Sequence, residues 1–352
     1  MPGSGFLKIG LPAVALLLAG CDPFSEARPM MDEYVERVAR VLETEPRYSD
    51  IPAASQLPRR RERVLTLPDL DMGMLDFLSL YGCELQYVVG EKNSVMGRVM
   101  QPLNRLRYEV RFIQTARECL PDIEDEDFAG ELTDAIESKL ASLPIAVWNA
   151  TWGVEEVETL FTLSKGYYPV AAVEGNPVSD LARDIARLNG VVTELESGNL
   201  DVSLDFVGEV HQRWQAEYRA GQLINSARLL TARLRDGTAL LRQRIEGRPL
   251  CLNQQPNNQS DIVQSMFFSV YIGKVQPYLS AVSQGRTALI EPFERLADQQ
   301  AGVMPEAFRP WYRHHLSQTG AESLWQALDL AIADHTRAWQ DLLGQCGLRP
   351  GA

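Results

Sequence analysis

Apolar residues recur at steps of three and four along most of this chain, with polar residues between them, which is the period of amphipathic helices. From Asp32 to Val41 the positions Tyr34, Val35, Val38 and Val41 share one face, and Pro46 ends the pattern. Leu75, Leu78, Gly82, Leu85 and Val89 predict a second helix, and Leu103, Leu106, Val110, Ile113 and Leu120 a third, with a turn over Gly90 to Gly97 between them. Helix resumes at Ser179 through Leu181, Ile185, Leu188, Val192 and Leu195. Leu223, Leu230, Leu234, Leu241 and Ile245 form the next stripe, beside a second line of Arg228, Arg235 and Arg242 at steps of seven. Helices are further expected from Asp261 to Val282 and from about Glu322 to Leu343, the last with Leu324, Leu328, Ile332, His335, Trp339 and Leu342 in line.

The pattern predicts an all-α protein, an elongated helical bundle that divides into two sub-bundles. An N-terminal helical region covers 31–143, a C-terminal bundle 178–346, and a short tail 347–352. Between the bundles, Pro144, Gly153, Gly166, Pro169, Gly175 and Pro177 predict an irregular segment over 144–177, with one extended piece at Tyr167 to Val173. Residues 46–71 carry Pro46, Pro52, Pro58 and Pro68 and read as an irregular linker.

The first residues do not fit the bundle. A short arm with one cation, Lys8, precedes the apolar run Ile9 to Ala19, which is too short to span a bilayer and has the length of a secretory leader. It ends Leu18-Ala19-Gly20-Cys21, which resembles the lipobox of bacterial lipoproteins. That resemblance implies a cleaved signal peptide over 1–20, lipidation of Cys21, and a lipid anchor and tether over 21–30. Several acyl chains on one residue anchor durably, because each buried methylene contributes about 0.8 kcal/mol. Asp22 after the Cys implies retention at the inner membrane by the enterobacterial rule, with the outer membrane as the alternative.

Composition narrows the partners. Of 352 residues, 45% are hydrophobic and 23% charged, an ordinary globular balance. Net charge is −13, which argues against nucleic acid as a partner, since phosphate backbones need concentrated positive charge. Loss of Lys8 with the leader makes the mature chain one unit more acidic, so anchoring to an anionic leaflet falls to the lipid at Cys21 rather than to the body.

Four cysteines remain in the exported body, Cys83, Cys119, Cys251 and Cys346, and an even count there points to disulfides. Three pairings are open. The sequential one, Cys83 with Cys119 and Cys251 with Cys346, closes each bridge within one half of the chain and is preferred. A straight hairpin turning near residue 95 would leave Cys83 about 18 Å from Cys119, so this pairing requires a bend or offset near Gly97 or Pro102.

Candidate chemistry is sparse. The sequence lacks the serine-hydrolase, zinc-protease, phosphate-loop and dinucleotide signatures, and no metal or cofactor is expected. His335 lies on an apolar line and reads as a core histidine, while His314 and His315 point about 100° apart on a helix and read as a surface pair. Asp122 to Asp127 lacks the spacing of a calcium loop and reads as charge at a helix N-terminus. Arg59 to Arg63 is a basic cluster near the anchor, either a headgroup contact or a solvated turn. The Arg-bearing helix around Arg98, Arg105, Arg107, Arg111 and Arg117 either meets an anion or pairs with carboxylates such as Glu84 and Glu109.

Cys83-Glu84-Leu85, Asn93-Ser94-x-Met96-Gly97, Arg105-x-x-Tyr108-Glu109 and Cys119-Leu120 together resemble a family of proteobacterial lipoproteins with no established activity. The resemblance implies location and class only. Asn93, Ser94, Arg98, Arg107 and Arg111 are the candidate binding residues; no catalytic residue is assigned. The expected role is a lipid-anchored periplasmic module that engages an envelope protein partner. An anionic small molecule or lipid headgroup as ligand, and an envelope hydrolase with an unfamiliar site, are the alternatives.

Overall fold

A computed structural model describes residues 26–68, 80, 82–94, 97–170 and 178–349. The described residues form helices and connecting loops, with no strand among them. The expected lipidation site Cys21 and its neighbour Asp22 lie outside the described residues.

The helices run α1 (Ala27–Val41), α2 (Arg60–Arg63), α3 (Leu85–Asn93), α4 (Pro102–Cys119) and α5 (Glu126–Thr151). They continue with α6 (Glu156–Leu160), α7 (Val178–Glu196), α8 (Val207–Ala216) and α9 (Arg219–Glu246). The C-terminal part holds α10 (Asn258–Met266), α11 (Gln276–Gly285), α12 (Glu291–Gln299), α13 (Arg309–His315) and α14 (Leu324–Gly344).

Helix α9 is the centre. Its 28 residues span about 42 Å, and nearly every position from Ala220 to Leu241 is buried, which marks a helix surrounded by others rather than lying on a surface. Its most extensive partner is α14, followed by α1. Buried apolar residues from Ala27 to Cys346 form one connected cluster around it.

The polar residues of α9 explain how irregular chain is held there. Backbone without helix or sheet must find other partners once buried. Gln222 donates to the Lys165 carbonyl at 2.9 Å, and Asn225 to the carbonyls of Leu163 and Gly166 at 2.9 and 2.8 Å. The Ser226 hydroxyl accepts the Tyr168 N–H at 2.8 Å. Gly221 allows the approach, since a Cβ there would run into the Thr162 carbonyl.

Residues 44–68 cross the molecule as a strap held in the same manner. Asp236 accepts from the Ser49 N–H at 3.1 Å and from its hydroxyl at 2.6 Å, while Arg233 donates to the Ser49 carbonyl at 3.0 Å. Farther on, the Asn149 amide pairs with both the N–H and the carbonyl of Leu65 at 2.8 Å each, as a neighbouring strand would. Arg63 is fully buried and donates to the carbonyls of Pro58, Trp152 and Val154 and to Glu158. Arg60 holds Glu155 at 2.9 Å. The expectation that residues 59–63 form either a headgroup contact or a solvated turn is therefore corrected at Arg63 and Arg60: both are taken up in holding the chain.

Three other expectations change. Helix α5 passes through Pro144 to Thr151, so residues 144–151 are helical and irregular chain begins only after them. A helix-interior proline costs about 3 kcal/mol. Burial of Val147, Trp148 and neighbouring residues beyond Pro144 offsets that cost. Residues 258–299 form one long helix in place of one ending near Val282. It widens into π-turns at Phe267–Val275 and Arg286–Ile290, each followed within two residues by a proline, Pro277 and Pro292. Gln276 donates back five residues to Tyr271, and Glu291 five back to Arg286. The extra residue per turn eases the clash between a proline ring and the preceding turn while the helix continues. Finally, His315 is buried rather than on the surface.

Candidate functional site

Helices α3 and α4 form an antiparallel hairpin whose connection decides where the candidate residues meet. The Ser94 hydroxyl donates to the Glu91 carbonyl at 2.7 Å and accepts the Gly97 N–H at 3.0 Å, closing the end of α3. Gly97 packs so close to the carbonyls of Glu91 and Lys92 that no Cβ fits. Gly97–Val99 makes one 3-10 turn, Gln101 is extended, and Pro102 opens α4 where a proline is best tolerated.

The hairpin therefore pivots near Gln101, not near residue 95. That shift supplies the offset the cysteines require. The Cα atoms of Cys83 and Cys119 are 5.9 Å apart at disulfide distance, and those of Cys251 and Cys346 are 5.1 Å apart. The second pair ties the chain after α9 to the end of α14, beside Gln345, which accepts the Leu250 N–H at 2.9 Å.

Ser94, Arg107 and Arg111 line one cleft of about 770 Å³, with Val88, Tyr108 and Asn104. Asn93 ends α3 and Arg98 lies in the 3-10 turn, but their side chains are outside the described structure. Arg111 sits between two carboxylates, Glu84 at 2.8 Å and Glu91 at 3.2 Å. Arg107 donates to the Leu204 carbonyl at 3.0 Å and to Asn104 at 3.2 Å, holding the loop before α8. Its Nε is buried without a partner. Both guanidinium groups thus face the cleft with internal bonds already made.

Under the cleft floor lies a buried ionic triad. Glu109 is 1% exposed and accepts from Arg105 at 2.5 Å and pairs with Lys139 of α5 at 2.6 Å. Burial pulls the Lys139 ammonium below its ordinary value, and the Glu109 carboxylate opposes that fall. Tyr108, with Arg105 and Lys139 within 5.6 Å of its ring centre, is held protonated by burial.

The histidines divide by depth. His335 is fully buried, and its Nδ1 lies 2.9 Å from the Thr238 hydroxyl. That hydroxyl gives its proton to the Leu234 carbonyl at 2.7 Å, so Nδ1–H is the donor and Nε2 accepts the Tyr34 hydroxyl at 2.5 Å. Trp339 donates to Tyr34 at 2.9 Å, which completes the network. His315 donates from Nε2 to the Ser55 carbonyl at 2.9 Å, leaving Nδ1 buried and unpartnered. Burial lowers both imidazoles to about 3. His211 donates to the Ala150 carbonyl at 2.9 Å and is lowered by burial too. His314 remains partly exposed, 2.7 Å from the Glu322 carbonyl.

In the acidic run, Asp125 caps α5, accepting from the N–H groups of Asp127 and Phe128 at 3.0 and 3.1 Å. Among the described residues, no group of three or more His, Cys, Asp or Glu is placed to hold a metal ion. No helix among them is long and apolar enough to cross a membrane. Sequence reasoning missed Asn149 and Asp236 as the residues that hold the strap. The available signal at Asn149 was a carboxamide inside an otherwise apolar helical stretch; Asp236, among Arg233, Arg235 and Thr238, carried none.

Residues 31–350 match the family model described as Protein of unknown function (DUF3080), and the chain belongs to that family. No curated protein and no solved structure matches it.

Proposed function

We propose that this member of the family is a lipid-anchored helical module of the bacterial envelope, facing the periplasm and acting by holding a partner rather than by catalysis. The observation that carries this reading is the pairing of all four body cysteines in a chain whose leader ends Leu18-Ala19-Gly20-Cys21. Paired thiols persist in oxidising compartments, and a lipidated cysteine after a short leader places a protein at the surface of one. The fate of the histidines also supports it, because His211, His315 and His335 are committed to core hydrogen bonds.

The test is mass spectrometry of the N-terminal peptide from membranes. A diacylglyceryl thioether on Cys21 with residues 1–20 removed is the expected product, and Cys21→Ser should release the protein from the membrane. An unmodified Cys21 on a full-length cytosolic chain overturns the reading. Crosslinking in cells should capture a reproducible envelope protein, with Tyr87 and Val99, 72% and 70% exposed on the α3–α4 hairpin, as first positions for a photo-crosslinker. A second reading, binding of an organic anion or lipid headgroup, is favoured by guanidinium groups that have no carboxylate partner.

A further inference from the structure

A cleft of about 840 Å³ lies between the strap, the middle of α9, and the α13–α14 corner. Much of its wall is apolar, supplied by Pro52, Ala53, Ala232, Pro310, Leu324 and Ala327. This is the size and character of a site for a small organic molecule. The charges around it are unevenly compensated. Asp236 is satisfied by Arg233 at 3.0 Å and by Ser49, and Glu322 by Arg313 at 2.9 Å. Arg228 donates to the Pro52 carbonyl and, at 3.0 Å, to the Asn225 side-chain oxygen, neither of them an anion. Arg235, one helical repeat farther along α9, is exposed and has no hydrogen-bond or ion-pair partner among the described residues. Against these two guanidinium groups stands one unpaired carboxylate, Asp50, on the exposed strap.

We infer that this cleft binds an organic anion with an apolar body, the head on Arg235 and Arg228 and the body against the strap and the Ala327 face of α14. The inference deepens the anion-binding reading and moves it from Arg107 and Arg111 of α4 to Arg228 and Arg235 of the central helix α9. Burial that costs Arg228 part of its hydration, without a neighbouring carboxylate to compensate, makes an incoming anion favourable. Both guanidinium groups line this one cleft, two helical turns and about 10 Å apart along nearly the same face of α9, so an anion between them is met from both sides.

The test uses the full-length chain in detergent micelles, which require no acyl anchor, titrated calorimetrically with 2-naphthoate and with its uncharged analogue 2-naphthamide. Naphthoate should bind at least about tenfold more tightly than naphthamide, the factor that one charge-assisted bond supplies. Arg235→Gln should abolish that preference. Arg242→Gln, on the same line but 3.9 Å from Asp334, should leave it unchanged. Ala327→Phe, which fills the apolar end, should remove binding of both compounds. Absence of saturable naphthoate binding by the wild type, equal affinity for the amide, or an undiminished preference in Arg235→Gln overturns the inference. Competition by dihexanoyl phosphatidylglycerol but not dihexanoyl phosphatidylcholine identifies the anion as a lipid headgroup. Lack of competition by either identifies it as a free organic acid. These outcomes do not depend on acylation of Cys21, so failure here and failure of the anchor are separable.

Discussion

Two clefts of similar size, each lined by two arginines of one helix, differ in what the arginines already hold. On the α3–α4 hairpin, Arg111 lies between Glu84 and Glu91, and Arg107 braces the carbonyl of Leu204. Beside the strap, among the described residues, Arg228 meets only neutral oxygens and Arg235 has no hydrogen-bond or ion-pair partner. Regular spacing put cations on one face in both places. The availability of those cations was decided by the segments that packed alongside, Glu84 and Glu91 at the two ends of α3 in one case and proline-bearing chain in the other.

The largest expected effect separates the two regions by pH. His335 and His315 have usual values near 6.5 and are lowered to about 3 by burial, so the unfolded chain takes up their protons first. Stability should be full above about pH 6.5 and fall toward pH 3 by about 1.4 kcal/mol per pH unit for each histidine. Urea unfolding at pH 7, 6 and 5 measures the slope. Protonation of His315 places an N–H where no acceptor exists, so amide exchange around residues 49–58 should quicken before exchange in α4. Simultaneous loosening of both would erase the distinction.

Next in size is Glu109→Ala, which leaves Lys139 buried and unpaired beneath the hairpin cleft and should cost about 3–5 kcal/mol in urea unfolding. Asp236→Ala removes two bonds to Ser49 while Arg233 keeps Asp32 at 2.5 Å. It should cost about 2 kcal/mol and loosen the strap cleft but not the hairpin, as amide exchange would report. The smallest is Arg111→Ala. Its side chain is 47% exposed, as are its partners to a greater degree, so the loss should stay below about 1 kcal/mol and shrink in high salt. A loss of several kcal/mol there would mean that the hairpin cleft depends on its surface ion pairs.

Much of the architecture was readable along the chain. The stripes of α1, α4, α7, α9 and α14 placed each helix within a few residues, because a buried apolar face imposes its period on the sequence. His335 was recognisable as a core residue from its place in the line that contains Trp339. The cap at Asp125 was equally local. Pro144 misled for a physical reason: a proline marks a local cost, and whether a helix stops there depends on how much burial lies beyond it. His315 misled because its neighbour His314 stays near the surface while a strap more than 250 residues earlier covers the other ring.

The sequence by itself determined the helical class, the positions of most helices and the cysteine inventory, since each is a matter of period or count. Only the tertiary structure decided which cations stay uncompensated, how Asn149, Arg233 and Asp236 hold a strap whose regular structure is the single turn α2, and where the hairpin pivots. Those outcomes rest on partners far apart in the chain, and the energy of a hydrogen bond or an ion pair depends on who arrives beside it, which no local pattern records.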